Sequence, residues 1–226
     1  MSSRPESNPD LPDTGGTRRR RMPAGLSFAG EPSAADNVCF LADTTWVDAE
    51  GHRHSEQEIF DAVFDMIRRA RRLILLDMFL YNDFEMQIKE PLRTLSHELT
   101  EALLEQKEQH PAITLIVITD PINTVYGSIR SPAFEMLEAA GVRVVTTDLV
   151  RLPDSNPAYS VLWRLLVKPF GKSSRSRFRN PFDPVGKISL RSYLEMLNCK
   201  ANHRKVVVCD DDATLAALVT SANPHD

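Results

Sequence analysis

The run Leu73-Ile74-Leu75-Leu76-Asp77-Met78-Phe79-Leu80 constrains the fold of this chain more than any other feature. It has strand length and holds a single charge, the mark of a strand covered on both faces. Such a strand needs layers around it, and the neighbouring sequence offers helices. Upstream, Ser55-Glu56-Gln57-Glu58 reads as a capping box, the Ser55 hydroxyl accepting from the Glu58 amide while Glu58 reaches back. Ile59, Phe60, Val63, Met66, Ile67 and Ala70 then recur at helical spacing, which predicts a helix over about 55–71 with one buried face. Arg68, Arg69, Arg71 and Arg72 gather at its end, where the helix dipole favours cations.

The alternation continues downstream. Pro91 with Leu92, Leu95, Leu99 and Leu103 on one face predicts a helix over about 91–109. Residues 113–119 form a second buried strand that ends at Asp120-Pro121. Ser131-Pro132 supplies an N-cap and a first helical position for a short helix stopped by Gly141, and 142–147 is a third strand. Helices alternating with buried strands across short turns define an α/β class, a layered domain whose central sheet carries helices on both faces. No internal repeat is visible.

The domain is expected to begin near residue 38. Residues 1–37, rich in Ser, Pro, Gly, Asp and Arg without periodicity, read as a disordered tail. The Arg18-Arg19-Arg20-Arg21 cluster inside it reads as a solvated charge run. Cys39, Cys199 and Cys209 lack the C-x-x-C spacing of a zinc site, and their odd number suggests no disulfide framework, so buried reduced thiols are expected. No run approaches the ~18 apolar residues that cross a bilayer.

Bulk charge points to no polyanionic partner, since the 226 residues carry a net −4. The segment of about 150–190, which reads as an insertion, is different. Residues 161–191 hold eight basic residues against one acidic, a net +7, so the rest of the chain carries −11. Trp163, Lys168, Lys172, Arg175, Arg177 and Arg179 are the candidate contacts, interleaved with Phe170, Phe178 and Phe182. Three readings stay open: a lipid surface, where rings sit at headgroup level and cations meet phosphates; an inserted surface loop with a small core helix; and a nucleic-acid backbone.

Chemistry concentrates near residues 198–226. Val206-Val207-Val208 after His203-Arg204-Lys205 makes a strand, and alternation sets His203 and Lys205 on one side of it. Residues 215–219 form a second strand at hairpin distance, ending in Thr220-Ser221-Ala222-Asn223. An antiparallel pairing returns Ser221 and Asn223 to the neighbourhood of His203 and Lys205. Imidazole is a nucleophile or proton shuttle near neutral pH, lysine supplies fixed positive charge, and Ser and Asn add donors, a set suited to attack on a phosphodiester. It needs no metal and no other cofactor. Asp120 and Asp210-Asp211-Asp212 read as solvated turn carboxylates.

His203-x-Lys205-x4-Asp210 followed by Ser221-x-Asn223 resembles the HKD signature of the phospholipase D superfamily, in particular its bacterial cardiolipin synthase-like branch. The resemblance spans about residues 38–226, but the last 24 residues make it specific. It implies a phospholipase D-like domain in which His203 forms a phosphohistidine or acts as its acid/base partner. Lys205 and Asn223 would bind phosphate, Ser221 would support it, and Asp210 would orient a histidine. The implied activity is phosphodiester cleavage or phosphatidyl transfer on glycerophospholipids, by a cytoplasmic protein held peripherally at the inner face of the cell membrane. The alternative within the superfamily is a metal-independent homodimeric endonuclease acting on nucleic acid. Because two facing motifs are implied and this sequence holds one, a partner half is expected. It would come from a longer chain, of which this is the N-terminal half, or from a second copy in a homodimer.

Overall fold

Four apolar runs and the Val-rich strand after His203 assemble one sheet, seen in a computed structural model of the chain. The chain divides between Asp36 and Asn37, and the structure describes residues 37–84, 93–169, 178–181 and 187–225. The expected tail, with Arg18-Arg19-Arg20-Arg21, therefore lies outside the described residues but for Asn37. So do Pro91 and Leu92 of the predicted second helix. In chain order the elements are β1 (Asp43–Val47), β2 (Arg53–Gln57), α1 (Glu58–Arg69), β3 (Leu73–Met78), α2 (Leu95–Gln109) and β4 (Thr114–Thr119). There follow α3 (Pro132–Ala139), β5 (Arg143–Thr146), α4 (Pro157–Leu166), β6 (Phe178–Arg179), β7 (Lys187–Ile188), α5 (Leu190–Met196), β8 (Lys205–Asp211) and β9 (Thr214–Val219).

The architecture is α/β, layered on a mixed sheet of order β5-β4-β3-β8-β9. β3, β4 and β5 are mutually parallel, while β8 inserts antiparallel between β3 and β9. The two faces of this sheet are buried unequally. Ile74, Leu76 and Met78 of β3, Leu115 and Val117 of β4, and Val207 and Cys209 of β8 project to one face. There they pack with Phe60, Val63 and Ile67 of α1, Leu99 and Leu103 of α2, and Leu137 of α3. Each such side chain, fully withdrawn from water, contributes about 1.5–3 kcal/mol. On the opposite face Leu75, Ile116, Ile118, Val206 and Val208 are half-buried.

Helix ends follow local chemistry at most sites. Ser131 Oγ accepts from the Phe134 amide and Pro132 opens α3. Gly141, at φ 82°, takes the left-handed position just past the helix end. Asn156 caps α4 and Ser189 caps α5 in the same way. At α1 the expected capping box does not form. Ser55 lies in β2, paired with Thr45 of β1, and its hydroxyl meets Thr45 Oγ1 at 3.3 Å. Glu58 accepts instead from the Ala42 amide, so α1 starts at Glu58 with no side-chain cap at Gln57. Two of the cysteines also depart from expectation: Cys39 and Cys199 are exposed, and only Cys209 is buried. Burial, with the charge of Asp210 beside it, pushes the Cys209 thiol up to about 12.

Candidate active site

Strand direction gathers the polar residues at one edge. β3, β4 and β5 end at Met78, Thr119 and Thr146, which stand in register. β8, running the other way, begins at Lys205 opposite Met78. β9 then returns, and the Thr220 amide donates to the Lys205 carbonyl at 3.1 Å. One row thus joins the carboxyl ends of four strands to the start of the fifth, the edge at which open α/β sheets bind ligands.

Lys205 and His203 are adjacent at this edge. Lys205 is 5% exposed, yet its Nζ lies 3.1 Å from His203 Nδ1 and 3.2 Å from the His203 carbonyl oxygen. His203 precedes β8 rather than belonging to it, and the residue is exposed. Phe79 closes the far side, its ring centroid 4.5 Å from that of His203 and 5.0 Å from Lys205 Nζ. Burial lowers the lysine pKa, because an ammonium withdrawn from water loses hydration.

The loop carrying His203 is tied to three strand ends. The Asn202 amide donates to Asp120 Oδ2 at 2.7 Å, and its Nδ2 donates to Asp77 Oδ1 at 2.7 Å and Thr147 Oγ1 at 3.1 Å. Arg204 pairs with Asp77 Oδ2 at 3.5 Å, and its carbonyl accepts from the Phe79 amide. Asp120 is therefore no solvated turn carboxylate. It is buried, and burial raises its pKa against the lowering pull of the Asn202 and Ile122 amides and of His203.

Asn223 and Ser221 arrive at the same edge. Asn223 Oδ1 accepts from the Leu80 amide at 3.1 Å, which leaves its Nδ2 without a hydrogen bond among the described residues. Ser221 is exposed in the loop that follows Thr220. Beneath them, buried Asn123 accepts from the Tyr81 amide and Asn82 Nδ2, and donates to the Phe79 carbonyl and Thr119 Oγ1. Asn82 in turn contacts His225 Nδ1 at 2.8 Å.

Asp210 is the clearest correction. It sits at the far end of β8, five residues and about 17 Å of strand from Lys205, and reaches no histidine. Its carboxylate is buried and accepts from the backbone amides of Arg71, Arg72 and Leu73, with Arg72 Nε 3.5 Å away. Burial alone would raise its pKa, but these donors hold it below the ordinary carboxylate value. Asp210 pins the turn between α1 and β3, and is likewise no solvated turn carboxylate.

The candidate contacts of the basic-aromatic segment fall in different settings. Trp163 is 5% exposed and packs inward under Arg191, so it is no surface contact. Lys168, just after α4, and Arg179, on β6, are exposed, while Lys172, Arg175 and Arg177 lie outside the described residues. Among the described residues no three His, Cys, Asp or Glu side chains form a metal-holding group.

Sequence reasoning missed Asp77, Phe79, Asn82, Asn123 and the clamping role of Asn202. One signal was present: a lone carboxylate within an eight-residue apolar run must be buried and therefore hydrogen-bonded. No family model and no curated protein matches the chain.

Proposed function

We propose that the chain is a phosphodiester-cleaving or phosphatidyl-transferring enzyme of the phospholipase D type, acting on glycerophospholipids through a phosphohistidine. The observation that carries this reading is an exposed histidine, His203, whose Nδ1 lies 3.1 Å from Nζ of the buried Lys205 at the carboxyl edge of the sheet. In the proposed step a His203 ring nitrogen attacks phosphorus as the bond to the leaving oxygen breaks. Negative charge growing on the non-bridging oxygens meets Lys205, whose poor hydration strengthens that interaction. Asn223 Nδ2 and the Ser221 hydroxyl are further donors. Water or an alcohol then displaces the histidine.

The leaving oxygen of a lipid needs a proton, and its donor is a second imidazole, from another motif or from a second copy across a two-fold axis. A lipid substrate implies peripheral contact at a membrane face, the inner one under this reading. No described helix is long and apolar enough to cross a bilayer.

The test uses bis(p-nitrophenyl) phosphate with EDTA, because its phenolate departs without a proton donor. A nitrophenyl-phosphoryl adduct on His203 is expected by peptide mapping, and none in His203→Gln. Lys205→Met is expected to slow its formation about 10²–10³-fold, the size of loss seen when a charge-stabilising donor is removed. An adduct that persists in His203→Gln would sink the reading. Metal-independent cleavage of plasmid DNA, with phosphatidylglycerol untouched, would keep the chemistry and replace the lipid by nucleic acid.

A further inference from the structure

Helix α4 faces the wrong way for a helix of a water-soluble surface. Ser160 and Trp163 are buried, and Ser160 Oγ meets Asn198 Oδ1 at 3.0 Å. The opposite side carries Val161 at 48% exposure, Leu162 at 52%, Leu165 at 68% and Leu166 at 58%. At 3.6 residues per turn these four cover an arc of roughly 140°, and exposed Ala158 falls inside it. A continuous apolar stripe in water marks an interaction surface.

We infer that α4 is an interfacial helix that docks this chain on an anionic lipid bilayer, with Val161, Leu162, Leu165 and Leu166 entering the headgroup boundary. Charge decides the occupant. The segment 161–191 that begins with this stripe holds eight basic residues against one acidic in a chain of net −4. Lys168, Arg179 and Lys187 are exposed. Lys168 directly follows the stripe, and anionic headgroups complement the positive charge that this segment carries in sequence, which a second copy would only repeat.

Docking there also orients the catalytic edge. Asp154 accepts from Arg164 of α4 at 2.7 Å and pairs with Lys200 at 2.6 Å, and Lys200 stands three residues before His203. The helix and the loop of His203 are thereby held together. The docking surface does not depend on the phosphohistidine chemistry, so either can fail alone.

The experiment is vesicle co-sedimentation of the full chain. Binding is expected to phosphatidylcholine vesicles containing phosphatidylglycerol, at least about tenfold tighter than to phosphatidylcholine alone and weakening with salt. Leu162→Asp with Leu165→Asp changes exposed residues, so the fold should survive, as thermal unfolding will show, and binding should be lost. Lys168→Glu should reduce the preference for phosphatidylglycerol. No vesicle binding by the native chain, or binding unchanged in the double variant, overturns the inference. So does reversible self-association that the double variant abolishes, which would make the stripe a contact between copies.

Discussion

At the scale of single residues, the site turns on Lys205, an ammonium kept out of water beside an imidazole. Burial lowers its pKa below the ordinary 10.5, so under the proposed mechanism activity should fall on the alkaline side at a pH below that value, as the charge is lost. A pH–rate profile of adduct formation checks this. Lys205→Arg, charged throughout, should remove the alkaline limb even if the rate is lower. The stability linkage has the opposite sign. Between the folded and unfolded pKa values the unfolded chain binds more protons, so the cost of the buried charge is relieved as pH rises. Lysine and histidine two apart are visible in the sequence, but the burial of one and the exposure of the other are not. Phe79, which follows β3 and lies far away in the chain, packs its ring against the ammonium, a placement that tertiary pairing alone decides.

At the scale of elements, what the sequence discloses depends on whether an element buries a face. β3, β4 and β8 are legible because apolar runs of strand length must be covered, while β9, which holds no buried residue, is marked by its apolar composition alone. The β1–β2 hairpin escapes notice because every residue of β1 is exposed and β2 holds no buried one, so no apolar alternation marks it. Its formation in turn pulls Ser55 out of the helix it was expected to cap. The two serines give a direct comparison. Ser131→Ala should lower stability by about 1 kcal/mol, the usual worth of a filled N-cap. Ser55→Ala, which removes one exposed hydroxyl contact, should cost less than about 0.5 kcal/mol. Urea denaturation of both variants checks the contrast, and equal losses would restore the capping box.

For the whole molecule, β8 separates two tasks. Its first residue serves the proposed chemistry, and Asp210 near its end holds the α1–β3 turn through three backbone amides. Asp210→Asn should therefore cost about 1.5–3 kcal/mol of stability, the range for hydrogen bonds to charged groups. It should leave the residual rate of adduct formation nearly unchanged in the folded fraction. Because its pKa is depressed in the folded state, Asp210 contributes stability above the unfolded value of about 3.9 and loses it as pH falls through the folded one. Acid titration of the native chain should show that loss, and Asp210→Asn should lack it. The shared motif spacing suggests one catalytic unit, but spacing alone carries no information on which end of a strand a residue occupies relative to the ligand edge. That is why the sequence groups Asp210 with His203 and Lys205, whereas the structure places it near the opposite end of β8.

The insertion of β8 beside β3 has a temporal side. Met78 and Lys205 are neighbours in the sheet but lie roughly 130 residues apart in the chain, a separation that a ribosome adding about 5–20 residues per second spans in roughly 6–25 s. During that interval β3 and β4 can already pair, leaving one flank of an apolar strand open to any other extended segment. Production of this protein in the cell should thus be limited by how well nascent chains are shielded over those seconds, more than by the stability they finally reach.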